Sequence, residues 1–141
     1  GSMNELSKNF ERLLTKVDNY IHSQEIVHDA NSSIWDMHHH FLDGLYIREG
    51  TLPAGMLVYG KIHRFTHPVF LMYGKVLVAT QNGVREHSAP CMIISEGSSP
   101  KIVYAIEESK WINVHATDKK TPEDAEEELT FSSFEEQRKC L

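Results

Sequence analysis

The sequence predicts a mainly β protein: one antiparallel sandwich or barrel, with a helix before it and a short helical tail after it. Three observations carry that prediction. Between about residues 34 and 117 the chain breaks into short apolar runs separated by Gly, Pro and Asn turn signals. The two ends show helical rather than alternating patterns. The length of 141 residues suits a single domain able to bury a core without disulfides or a structural metal.

Taken in order, residues 1–24 begin with Gly1 and Ser2, which read as a tag remnant before Met3. An amphipathic helix follows, with Leu6, Phe10, Leu13, Leu14, Val17 and Ile21 at three- and four-residue steps. Its apolar stripe packs either on the sheet core or between subunits. Asp29, Asn31, Ser32 and Ser33 break the pattern, and the β region occupies residues 25–118. Strands are expected at 34–39, 44–49, 57–65, 69–73, 75–80, 83–88, 91–95, 102–107 and 111–117. Asn82-Gly83 offers the two positive-φ positions of a type I′ turn, which makes 75–88 a hairpin. Residues 119–141 form an acidic tail, in which Thr121 caps a helix with Pro122 at its first position and Leu129 near its end; Ser133 with Glu136 allows a second short helix.

Net charge is −6, so a broad footprint on duplex nucleic acid is not expected, and any nucleotide partner should be small and held locally. Cys91 and Cys140 match no metal or redox spacing, which suits free thiols in a reducing cytoplasm. No apolar run reaches the ~18 residues of a membrane span, and no signal-peptide core is present. The chain also lacks a nucleophile elbow, a phosphate loop and paired-cysteine motifs.

The most specific pattern is a spacing. Gly55, five residues, Lys61-Ile62-His63, three residues, His67, six residues and Gly74 reproduce the first motif of the cupins, whose residues are Gly, His-x-His, Glu and Gly. The chain therefore resembles the cupin superfamily. The resemblance implies a cupin-like (jelly-roll) antiparallel barrel, with Lys61 in place of the first metal histidine and His67 in place of the glutamate. The second motif's Gly, Pro, Gly, His and Asn positions fall on Ala89, Ser95, Gly97, Pro100 and Tyr104, so its metal ligand is absent there. His40-Phe41, residues 44–49, 52–55 and 60–63, Ala89-Pro90 and residues 111–115 are similar to small uncharacterised cupin-like proteins of tailed phages. That likeness implies the cytoplasm of an infected bacterial host as the setting.

The candidate ligand-binding set is Arg48, Lys61, His63, His67, Tyr104, Trp111 and His115. No cofactor is required by it, although His63 and His67 could hold a divalent metal if a third ligand came from His87, His115 or the run His38-His39-His40. Lys61 opposes a cation and favours an anion, with Arg48 as a bidentate partner. Trp111, Asn113 and His115 share one face of the last strand and Ile112 and Val114 the other; either face can be the inner one.

Three functions are consistent with these residues. The first is a non-enzymatic binding protein that captures a small anionic ligand, in the phage setting a sponge for a (cyclic) nucleotide defence signal. The second is a metal-dependent cupin enzyme of the dioxygenase or isomerase kind, and the third is a structural or assembly protein. A homo-oligomer, by default a dimer, is expected in each case because helix stripe and sheet edges need covering.

Overall fold

Alternating burial along the strands sorts the chain into two facing sheets. The computed structural model describes Arg12, residues 36–58 and residues 62–131. Its elements are β1 (Asp36–Leu42), β2 (Leu45–Leu52), β3 (Leu57–Val58), β4 (Ile62–His63), β5 (His67–Tyr73), β6 (Lys75–Thr80), β7 (Gly83–Ser88), β8 (Cys91–Ser95), β9 (Ile102–Ala105), β10 (Ser109–Ala116), the helix α1 (Pro122–Leu129) and β11 (Thr130–Phe131). One sheet has the order β1-β2-β10-β5-β8, the other β3-β9-β6-β7, and β11 pairs with β4 in a small third sheet. All pairings are antiparallel and several neighbours are distant in sequence, as in a jelly roll. The barrel expected from the sequence is open among the described residues: its two sheets face each other without joining at every edge.

The core lies between the sheets. Leu52, Val69, Leu71 and Trp111 come from the five-stranded sheet and meet Val58, Val76, Val78, Val103 and Ala105 from the four-stranded one. Val69 and Val76 are fully buried, so truncating either would leave a cavity costing about 1–3 kcal/mol. At Gly74 the chain passes from β5 to β6 with φ +95°, and a Cβ there would lie 2.3 Å from Glu108 O and Ser109 Oγ. That crossover admits only glycine.

Within the strand expected at 57–65, the described residues include β3 and β4, which pair with different partners, β9 and β11. The hairpin of β6 and β7 forms, but not with a type I′ turn. Thr80 pairs with Gly83 across Gln81 and Asn82, and only Gly83 has positive φ, at +117°. The register runs unbroken from Lys75↔Ser88 to Thr80↔Gly83, so the loop is the two residues Gln81 and Asn82, and neither takes the left-handed conformation that a type I′ turn requires.

The tail helix forms as its cap dictates. Thr121 Oγ1 accepts from the Asp124 N–H at 3.2 Å, Pro122 opens the first turn, and Ala125 and Leu129 are buried against Tyr46. Thr130 ends the helix by donating to Glu126 O, and the chain then enters β11. Apart from Arg12, the N-terminal helix expected over residues 3–24 lies outside the described residues, as does the second tail helix expected after Ser133.

Candidate metal centre

Two histidines reach the interior because the chain bends between β4 and β5. His63 ends β4 and His67 begins β5, and the intervening turn is fastened by two segments, residues 129–131 and residues 97–98. Arg64 N–H donates to Leu129 O at 2.7 Å, and Arg64 Nε donates to Thr130 O at 3.0 Å, with its guanidinium 4.1 Å from the Phe131 ring centroid. Ser98 N–H donates to His63 O at 2.7 Å, and Gly97 N–H to Thr66 Oγ1 at 3.0 Å. Gly97 is backed so tightly onto this turn that a Cβ would lie 2.7–2.9 Å from backbone atoms of residues 64–66.

The third histidine comes from β10. Trp111, Asn113 and His115 form its buried face, while Ile112 and Val114 point the other way, so the polar register is the inner one. His115 lies with its ring centroid 4.9 Å from that of His63 and 4.2 Å from that of His67; the His63 and His67 centroids are 4.6 Å apart. One ring nitrogen from each falls within 4.8 Å of the others. His115 is one of the third-ligand candidates named from the sequence, and it lies outside the spacing of the second cupin motif, whose ligand position falls on Pro100.

Hydrogen bonding orients the rings. His67 Nδ1 is 3.2 Å from Phe65 O and its Nε2 is 2.9 Å from Asn113 Oδ1, so both ring nitrogens face oxygen acceptors. A neutral imidazole has one N–H and donates to only one of them; donation to Phe65 O leaves the lone pair on Nε2, and Nε2 then serves as a ligand only if the Asn113 amide turns away. His115 Nε2 is buried and has no hydrogen-bond partner among the described residues.

Electrostatics keep all three rings neutral. Burial pushes His63 well below the ordinary histidine value, and the neighbouring His115 and His67 add to it. His115 is lowered to about 3, first by burial and then by His67, Arg48 and Lys101. His67 is lowered by burial, against the opposing pull of its bonds to Asn113 and Phe65. Neutral imidazoles with buried lone pairs are the form that binds a metal ion. Around them, Arg48 on the inner face of β2 lines a small cavity of about 10 Å³ with Tyr46, His63, His115 and Glu126.

The remaining candidates separate. Trp111 is buried in the core between the sheets rather than at a surface. Tyr104 does not join the cluster: it sits on the exposed face of β9, 39% accessible, opposite Leu57 and Leu77. Lys61 lies outside the described residues. His38 and His40 are exposed beside Asp36 and Glu49, and His39 bonds the Tyr46 hydroxyl at 2.6 Å, so none of the three is a ligand in this cluster. Half-buried Lys101, just before β9, was not anticipated: its charge acts on all three histidines, but a loop residue with no periodic neighbours carries no sequence signal.

No protein-family profile matches the chain, and none of the curated proteins matches it in sequence. Its fold, by contrast, has many solved counterparts. Ectoine synthase from P. lautus superposes with a TM-score of 0.55 and 19% identity, covering 77% of this chain and 84% of that one. A cupin-superfamily protein from Desulfitobacterium hafniense gives 0.54 and 9% over 63% and 83%, and KdgF from Halomonas sp. gives 0.53 and 12% over 61% and 82%. The chain thus has the cupin fold, with a three-histidine cluster in which His67 and His115 are buried and His63 is partly buried. No helix among the described residues is long and apolar enough to cross a membrane.

Proposed function

We propose that this protein is a metal-dependent cupin whose centre is His63, His67 and His115, acting on a small anionic molecule. The observation that carries the reading is the convergence of three neutral imidazoles, their ligand atoms within 4.8 Å, with the Nε2 of His115 buried and unpartnered. Three protein ligands and an open position characterise catalytic rather than structural transition-metal sites. When bound, a divalent ion would supply Lewis-acid polarisation of a substrate oxygen and acidify a coordinated water.

The chain's own residues prepare that site. Phe65 O and Asn113 Oδ1 hold the His67 ring between them, and the turn at residues 64–66 sets the separation of His63 from His67. Arg48, beside His63 and His115, gives an anion a cationic neighbour. Enzymes among the fold neighbours support this reading only as precedent for the architecture.

The test is elemental analysis of protein expressed with added Zn²⁺, Mn²⁺ or Fe²⁺. About one equivalent of one metal is expected, falling below a tenth in the His63→Ala, His115→Ala double variant. Less than a tenth of an equivalent in the unmodified protein would overturn the proposal.

A second reading is capture without turnover, favoured by the same cationic neighbour. Its nucleotide version, a sponge for a cyclic nucleotide, rests on the resemblance to tailed-phage proteins. Recovery of a bound nucleotide unchanged after denaturation would support it over the first.

A further inference from the structure

A second opening lies beside the histidine cluster, where the two sheets part. β7 and β8 follow one another in the chain yet belong to different sheets, and between them opens a cleft of about 450 Å³. That volume is within the range of small-molecule sites. Its floor adjoins the metal candidates: Ser95 pairs across the sheet with His67, and Trp111 lies two positions before Asn113 on the same buried face.

The chemistry lining it is asymmetric. Arg85, His87 and Lys101 face Glu96 alone, although the chain as a whole carries a net charge of −6. Two of the lining groups lack partners. Ser95 Oγ, on a residue only 5% accessible, has no hydrogen bond among the described residues. Lys101 forms no ion pair with any described carboxylate, and burial alone pulls its pKa down to about 8, so at neutral pH it is still mostly an ammonium. A half-buried cation and an unsatisfied buried hydroxyl both cost free energy that a bound anion would recover. Trp111, Met92 and Ile94 supply an apolar wall.

We infer that this cleft binds a small organic anion, its carboxylate or phosphate held by Lys101 and the Ser95 hydroxyl and its apolar part lying against Trp111. The inference rests on the metal-centre reading for its consequence, delivery of the ligand to the histidines, and not for binding itself.

Calorimetric titration of the full-length, chelator-treated protein with phenylacetate, phenyl phosphate and the uncharged phenylacetamide tests it. One anion should bind at least tenfold more tightly than the amide, and the preferred anion tells carboxylate from phosphate. Lys101→Met should weaken that binding at least tenfold, Lys101→Arg should largely restore it, and Ser95→Ala should weaken it severalfold. The amide binding as well as both anions, or Lys101→Met and Ser95→Ala both binding like the unmodified protein, would overturn the proposal. Because the protein is metal-free, the outcome stands whatever metal analysis returns. Should Lys101→Met fail to fold, Ser95→Ala carries the test.

Discussion

Gly97→Ala probes whether the turn between β4 and β5 sets the spacing of the proposed metal ligands. The added Cβ would lie 2.7 Å from Arg64 O, 2.8 Å from Thr66 N and 2.9 Å from Phe65 C. Ordinary contact begins near 3.4 Å, so the turn must yield by 0.7 Å at its tightest point (3.4 − 2.7). Its neighbours are backbone atoms, which cannot swing aside as a side chain would. Gly97 φ lies outside the left-handed region, so the perturbation is contact and not backbone strain. The cost to stability should be about 1–3 kcal/mol, as for an overpacked core. His63 and His67 flank the turn, and metal–ligand distances tolerate only about 0.2 Å, so a shift of several tenths of an ångström should weaken divalent binding at least tenfold. Competition against a chelating dye measures this, with circular dichroism confirming that the fold persists. Unchanged affinity in a folded Gly97→Ala protein would refute the claim that this turn spaces the ligands.

Three further outcomes follow from the same coordinates. His115 is held near 3 when folded against about 6.5 when unfolded, so acid favours the unfolded chain: stability is complete above pH 6.5 and declines as pH falls toward 3, by up to about 1.4 kcal/mol per unit for this residue alone. Urea unfolding at pH 7.5 and 5.5 should show the loss, and its absence in the metal-free protein would count against a neutral buried His115. Leu129→Ala, at a residue 4% accessible and packed on Tyr46, should cost 2–5 kcal/mol in thermal or urea unfolding, and less than about 1 kcal/mol would mean that α1 is not anchored there. Gly74→Ala should lose soluble protein on expression, since its Cβ would overlap the Glu108 carbonyl and the Ser109 hydroxyl; near-normal yield and melting temperature would show that the crossover can shift.

Local chemistry made much of this fold legible in the sequence. Thr121, Pro122 and Leu129 delimit α1 because a cap, a ring-fixed φ and an apolar face act within a few residues of one another. The hairpin at Gln81–Gly83 was legible for the same reason, although its turn type was not, because which residues take positive φ depends on the twist of the paired strands. What the sequence left open was set by register. Whether Trp111, Asn113 and His115 face inward depends on how β10 pairs with β2 and β5, a choice between two faces that alternation within β10 alone cannot make. The motif spacing located His63 and His67 and left His115 as one of several third-ligand candidates, among which sheet pairing brings His115 to the other two. Tyr104 lies away from the histidine cluster on the same ground: one step of alternation places it on the outer face of β9.

The character of the ligand set bears on how metal and anion would act together. Three imidazoles are neutral donors, so a bound dication would keep its full charge, whereas carboxylate ligands would have offset part of it. Burial is the main cause of the lowered histidine values, and Arg48 and Lys101 add a smaller positive push toward the rings. A cation entering alone therefore works against its surroundings, and an anion entering alone must satisfy Lys101 without the metal's help. If the anion reaches from Lys101 to the histidines, each partner removes part of the other's penalty. The two affinities must then rise by the same factor, because coupling between equilibrium binding sites is reciprocal. Such a pocket would be loaded best when metal and anion are both present, which fits a site for a metal-bound small anion better than it fits a permanent structural ion.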